Sequence, residues 1–265
     1  MSMGSAWLFC PADRPDRYAK AAAVADVVIL DLEDGVAAAD RPAAREALRR
    51  NPLDPIRTVV RINPAGTEDQ SRDLETLADT AYTTVMLAKT ESAEQVAALA
   101  PRHVVALVET PRGALRCVEI AAADQCIAMM WGAEDLIAAM GGGSSRRPDG
   151  RYRDVARHVR STVLLAASAF GRDALDAVFL DIADLDGLQA EACDAAAVGF
   201  AATVCIHPSQ VAVVRDAYRP EHDRIEWAHR VLAASRCERG VFTFEGHMVD
   251  APVLRHAEAI LRRAK

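Results

Sequence analysis

The sequence has no Cys-x-x-Cys pair and no cluster of cysteine with histidine, which leaves no ligand set at the spacing of a structural zinc site. Its six cysteines, Cys10, Cys117, Cys126, Cys193, Cys205 and Cys237, are dispersed, several of them inside apolar runs, and read as buried small hydrophobes in a reducing compartment. No apolar run is long enough to span a bilayer. The first residues lack a basic flank followed by a long apolar region, so the expectation is a cytoplasmic protein with no membrane partner. Positive charge is in deficit: 31 Lys and Arg stand against 38 Asp and Glu, a formal net charge of −7 with a pI near 5.5. That balance argues against a general nucleic-acid binder and leaves room for a local basic site for an anionic ligand. Low-complexity segments and short-period repeats are also absent. The glycine run Gly141 to Gly143 is followed by no Gly-Lys-Ser or Gly-Lys-Thr, so it is not a P-loop and reads as a surface loop before a phosphate-binding or lid loop.

What is present is apolar content of 51% with 26% charged residues, enough to bury a full core in a soluble chain. The 265 residues suit either two small domains or one large α/β barrel. The chain is organised around residues 104–136. Two runs there, 104–108 and 127–131, have the length and content of buried strands, and both end in acid, at Glu109 and at Glu134 with Asp135. The intervening 113–123, with Leu115, Val118 and Ile120 among alanines, is expected to form one amphipathic helix.

Eight such runs are counted as strands: 6–10, 27–30, 58–60, 84–87, 104–108, 127–131, 177–180 and 203–206. Alanine-rich helical stretches such as 41–50, 92–99 and 155–170 lie between most of them, so the fold class is α/β, a (β/α)8 barrel. After residue 219 a tail of helix (224–239), glycine-bracketed segment (240–250) and helix begun by Pro252 adds a C-terminal helical extension. The expected division is therefore 1–219, the barrel, and 220–265, a lid or subunit-exchange arm.

Charge recurs at the carboxyl end of nearly every strand: Asp31, Glu33 and Asp34 after the second, Arg61 after the third, Lys89 and Glu91 after the fourth, then Glu109, Asp135, Asp181 and His207. The leading flanks carry charge less regularly, which supports a polar site on the carboxyl face of the barrel. Glu109 and Asp135, from neighbouring strands, suit a hard divalent cation such as Mg²⁺, which takes a few carboxylates plus waters and substrate oxygens. Both acids also fit solvated loop or helix-cap positions, outside the core.

Six motifs in order carry a resemblance: Leu-Phe-Cys-Pro-Ala (8–12), Val-Ile-Leu-Asp-Leu-Glu-Asp-Gly-Val (28–36), Val-Arg-Ile-Asn (60–63), Leu-Val-Glu-Thr (107–110), Gly-Ala-Glu-Asp-Leu (132–136) and Cys-Ile-His-Pro-Ser-Gln (205–210). The chain resembles the citrate lyase β-subunit-like family within the HpcH/HpaI aldolase group. The resemblance implies a (β/α)8 barrel that cleaves or forms carbon–carbon bonds in β-hydroxyacyl thioesters, using one Mg²⁺ per subunit on Glu109 and Asp135. It implies a substrate-carboxylate role for Arg61, whose planar fork suits bidentate binding, with Glu33 and Asp34 orienting it or a metal-bound water. Arg61 also fits as a structural partner of Glu33 or Asp34. The same resemblance places coenzyme A contacts at Arg14, Arg17 and Lys20, for which a solvated helix face is the alternative. Lys89 matches a lysine of the family's Pro-Lys motif, but Ala88 stands in the proline's place, leaving its role open.

The tail is similar to the acyl-CoA lyase branch, where a Gly-x-Met-x-Asp segment brings an acid/base aspartate into a neighbouring subunit's site; here that residue is Asp250. The implied partners are an acyl-CoA, a small 2-oxo acid such as pyruvate or glyoxylate, and further copies of the chain in a trimer or a multiple of it. Citramalyl-CoA and malyl-CoA are the implied substrates. A citryl-acyl-carrier lyase subunit and a non-catalytic acyl-CoA-binding barrel are the rival readings.

Overall fold

In the computed structural model, which describes residues 3–238 and 240–264, eight parallel strands close into a barrel in sequence order. The strands are β1 (Ala6–Pro11), β2 (Val27–Asp31), β3 (Thr58–Ile62), β4 (Thr84–Leu87), β5 (His103–Val108), β6 (Cys126–Trp131), β7 (Asp173–Asp176) and β8 (Ala202–Cys205). Around them run α1 (Tyr18–Val24), α2 (Arg41–Arg50), α3 (Glu68–Ala78), α4 (Ala93–Ala97), α5 (Pro111–Leu115), α6 (Cys117–Ala122), α7 (Ala133–Ala139), α8 (Asp154–Ala169), α9 (Leu185–Val198) and α10 (Pro208–Tyr218). The strands are buried on both faces, which is why they read as continuous apolar runs; β2 has no exposed residue at all. Trp7, Ile29, Val59, Met86, Val105, Met130, Leu175 and Val204 belong to one buried cluster to which all eight strands contribute. Several helices begin where a hydroxyl or carboxylate accepts an N–H three residues on: Thr67 from Gln70, Ser92 from Gln95, Thr110 from Gly113 and Asp184 from Gly187.

Three expectations need correction. The seventh strand is Asp173–Asp176, and 177–180 follows it as irregular chain. Its apolar character arises from loop burial of Ala177 and Phe179, while the real strand is masked by an aspartate at each end. The single helix expected over 113–123 is two short helices, α5 and α6, that meet at Arg116; of Leu115, Val118 and Ile120 only Ile120 is buried, while Leu115 and Val118 face solvent. Four cysteines are buried, but Cys193 and Cys237 are exposed, and all six are free.

The chain divides into two compact units, Met1–Val214 and Arg215–Lys265, the division falling inside α10. The second unit contains α11 (His222–Ala234), an antiparallel hairpin of β9 (Phe242–Phe244) and β10 (His247–Val249), and α12 (Ala251–Arg263). Ala228, Val231, Val249, Ala257 and Ile260 form its own small core. Arg239, the expected end of the first tail helix, lies outside the described residues; that helix closes at Ala234. Among the described residues no helix is long and apolar enough to cross a membrane.

Candidate active site

The site is built at the carboxyl ends of β2 to β6. Parallel register sets Asp31, the last residue of β2, beside Arg61 of β3. Their side chains meet as a bidentate pair, Arg61 Nε to Asp31 Oδ1 and Nη2 to Oδ2, both at 2.6 Å. The same carboxylate also accepts the backbone N–H groups of Glu33 (2.9 Å) and Gly35 (2.8 Å), so one aspartate fixes both the arginine and the loop that carries Glu33 and Asp34. Gly35 is needed for this wrap: a Cβ there would lie 2.2 Å from Asp31 Oδ2. The Nε/Nη2 edge of Arg61 is thus occupied by Asp31, leaving the Nη1 end, which lies 3.2 Å from Glu33 Oε2 without aligned hydrogen-bond geometry. Phe9 stacks beneath the guanidinium at 4.6 Å.

Beyond Arg61 the charge chain continues through Lys89, just after β4. Its ammonium bonds Glu33 and, at 3.0 Å, Asp34 Oδ2, and lies 3.4 Å from Asp135 Oδ1 and 3.9 Å from Glu109 Oε1. Burial alone would lower the lysine's pKa, but the bond to Glu33 and the surrounding acids raise it, so the ammonium stays charged. Burial likewise raises the Glu33 carboxyl against the opposing pull of Arg61 and Lys89. For Asp34, burial is outweighed by the Lys89 hydrogen bond and charge, which hold it below its usual value.

Glu109 and Asp135 come together because β5 and β6 pair up to Val108 and Trp131, and Gly132 continues the ladder by donating to the Val108 carbonyl at 3.0 Å. A Cβ on Gly132 would stand 2.8 Å from both Cβ and Oε2 of Glu109, so glycine is what allows the glutamate to lie across the strand end. Glu109 is 3% exposed, contrary to the expectation that both acids sit outside the core; Asp135, at 40% side-chain exposure, faces solvent. Burial, reinforced by the Asp135 charge, pushes the Glu109 carboxyl up to about 8. The Lys89 backbone N–H orients it through Oε1 at 2.9 Å.

The donor set fits a hard divalent cation. Five carboxylates, those of Asp31, Glu33, Asp34, Glu109 and Asp135, face two cations, Arg61 and Lys89, an excess of negative charge around hard oxygen donors. Among the described residues no group of three or more His, Cys, Asp or Glu side chains is poised around one metal position.

Other expected residues fall outside this array. Arg14, Arg17 and Lys20 follow β1 at the same end of the barrel, exposed to solvent, with one ion pair from Arg14 to Asp16 at 3.3 Å. His207 stands at the start of α10 with Nδ1 2.8 Å from Ser209 Oγ. Asp181 accepts the N–H groups of Ala183 and Asp184 in the loop before α9. Asp250 caps α12, its Oδ1 accepting from the Val253 N–H at 3.2 Å. Glu134 turns away from the array, accepting from Ser145 Oγ at 2.5 Å, and lines a cavity of about 700 Å³ walled by parts of the 144–152 loop, α8, the 179–184 loop and α9. The two residues whose centrality sequence reasoning did not see are Asp31 and Lys89. Strand-end charge marked both, but their partners are set by register and by a left-handed backbone at Lys89.

Residues 5–208 match the HpcH/HpaI aldolase/citrate lyase family. The chain is 75% identical over 261 residues to the citrate lyase subunit beta-like protein of Mycobacterium tuberculosis, covering 98% of this chain and 96% of that one. It is 32% identical over 266 residues to the human mitochondrial citramalyl-CoA lyase, covering 88% and 77% respectively. Its fold superposes with a TM-score of 0.95 on the crystal structure of protein CitE from Mycobacterium tuberculosis in complex with magnesium, acetoacetate and coenzyme A, at 75% identity and 98% coverage of both chains.

Proposed function

Because the chain belongs to the HpcH/HpaI aldolase/citrate lyase family of carbon–carbon lyases, we propose that it cleaves or forms β-hydroxyacyl-CoA thioesters in a Mg²⁺-dependent reaction. Citramalyl-CoA or malyl-CoA would give acetyl-CoA plus pyruvate or glyoxylate. The observation that carries the reading is the approach of Glu109 and Asp135 to one ammonium, within 4 Å of each, at the ends of adjacent strands. The magnesium, acetoacetate and coenzyme A bound by protein CitE support it independently.

In this reading Glu109 and Asp135 hold the metal, which when bound supplies Lewis acidity to the carbonyl of the 2-oxo acid. Arg61, kept charged and immobile by Asp31, offers its Nη1 end to oxygen charge that develops on the thioester enolate. Glu33 steadies that end of the guanidinium and, with Asp34, the Lys89 ammonium. Arg14, Arg17 and Lys20 supply positive charge for the phosphates of coenzyme A. Asp250, brought by the 220–265 extension of a neighbouring subunit, exchanges the proton at the thioester α-carbon, which makes the working unit a homo-oligomer, a trimer or a multiple of it.

The test is to incubate the purified full chain with a panel of acyl-CoAs, pyruvate, glyoxylate or oxaloacetate, and Mg²⁺, and to identify products by mass spectrometry. The expected outcome is Mg²⁺-dependent interconversion of citramalyl-CoA or malyl-CoA with acetyl-CoA and the oxo acid. Turnover confined to a citryl-acyl-carrier thioester would move the chain to the citrate lyase complex. A dead Asp135→Ala variant of unchanged fold is the expected companion result.

A further inference from the structure

We infer that Lys89 is an internal cation that competes with the divalent metal for Glu109 and Asp135 and thereby limits how tightly the site holds that metal. The inference rests on the assignment of the metal to those two carboxylates. The ammonium is anchored from one side by hydrogen bonds to Glu33 and Asp34. On its other side it leans on Asp135 and Glu109 at 3.4 and 3.9 Å, where it makes no hydrogen bond and contributes charge alone. A divalent ion drawn to the same two carboxylates meets a like charge at close range, on a side chain only 29% exposed to solvent. Relief comes only if the ammonium withdraws toward Glu33 and Asp34.

The backbone of Lys89 separates this role from a merely structural one. Its φ of 51° is left-handed, uncommon for a residue with a side chain, and two main-chain N–H groups hold the turn: Lys89 N–H donates to Glu109 Oε1 and Thr90 N–H to the Leu107 carbonyl, both at 2.9 Å. Glu109 is therefore oriented by a peptide N–H that any residue but proline would supply at position 89. The side chain adds charge to the site, so a neutral side chain of similar length removes the competition while leaving that N–H in place.

The experiment is calorimetric titration of Mg²⁺ into chelator-treated, full-length protein, with thermal unfolding measured before and after metal. Lys89→Met and Lys89→Gln are expected to bind Mg²⁺ about five- to tenfold more tightly than wild type, the scale of one unit-charge interaction at these separations in a water-like medium. They are also expected to start from a lower metal-free Tm and to gain more from Mg²⁺, whereas Lys89→Arg keeps wild-type-like or weaker binding. An unchanged or weakened Mg²⁺ affinity in both neutral variants overturns the inference. Asp135→Asn separates it from the reading beneath: if that variant binds Mg²⁺ as wild type does, the metal assignment itself fails. If Asp135→Asn loses Mg²⁺ while Lys89→Met and Lys89→Gln bind it no better than wild type, only the role given to lysine is lost.

Discussion

A carboxyl group buried among other carboxylates favours its neutral form, and Glu109, buried beside Asp135, has its pKa pushed up to about 8 in the metal-free protein. The unfolded chain ionises this group near its ordinary value of 4.5, so between about 4.5 and about 8 the folded state binds more protons than the unfolded one. The stabilising contribution is accordingly complete below that window and lost as pH rises through the folded value. Metal-free wild type should therefore lose stability relative to Glu109→Gln as pH climbs through the window, by at most about 1.4 kcal/mol per pH unit for a single group, and thermal unfolding of the two proteins across pH measures it. A pH-independent difference in Tm would place the glutamate's ionisation elsewhere. Arg61 yields a second prediction: Arg61→Lys keeps the charge but lacks the fork that spans both Asp31 oxygens. Its kcat/KM should fall by about 1.5 to 3 kcal/mol in transition-state terms, with a loss of Tm from the buried Asp31 left partly unpaired. Unchanged kcat/KM with a lowered Tm would make the arginine structural only. Glu33, Asp34, Arg61, Glu109 and Asp135 were legible as strand-end charge, because a barrel's polar face collects the residues that follow each strand. That Asp31 takes the edge of Arg61 was not legible, since the pairing follows from which residues of β2 and β3 stand side by side.

Elements that bury a continuous apolar run were easiest to see in the sequence, and β2, β4, β5 and β6 fall within one or two residues of their expected bounds. Where burial and regular structure part company the pattern misleads. Ala177 and Phe179 are buried without belonging to a strand, and Asp176, at the true strand end, is buried because Trp131 Nε1 (2.6 Å) and Arg160 Nη2 (2.8 Å) bond it. An aspartate in such a network looks, in sequence, like a loop residue. Helix ends carry a prediction of their own at Asp250, which is both the N-cap of α12 and the acid assigned to proton exchange. Asparagine caps a helix as well as aspartate does, whereas alanine forfeits about 1 kcal/mol. Asp250→Asn should thus keep the wild-type Tm while turnover falls about 10²- to 10⁴-fold, the usual cost of removing a positioned acid/base; Asp250→Ala should lose both. Equal activity in Asp250→Asn and wild type, read with the Tm values, would reduce Asp250 to its capping role.

At the scale of the whole molecule, the question is whether the second unit serves its own barrel or another copy's. That unit has a core of its own, yet leaves Ile225, Trp227, Phe242, Phe244, Val253 and Leu254 only half buried and Val241 and Met248 exposed around the hairpin that leads to Asp250. In the proposed arrangement this face docks on a second copy, since scattered exposed hydrophobes are ordinary but a concentration of them marks an interface. The docking reading has a sharp consequence for mixtures. Asp250→Asn protein keeps the proposed metal pair and lacks the proposed acid, while Asp135→Ala protein keeps that acid and lacks the pair, so each alone should be inactive. If Asp250 serves its own barrel, no arrangement of the two chains contains a complete site. If it serves a neighbour, random assembly of equal amounts should make about a quarter of the sites complete, whatever the closed ring's size. Co-refolding or subunit exchange, with mixed oligomers verified by native mass spectrometry, should then restore about that fraction of wild-type turnover. Verified mixed oligomers that stay inactive would assign Asp250 to its own chain and leave the half-buried face of the second unit as a contact without catalytic purpose.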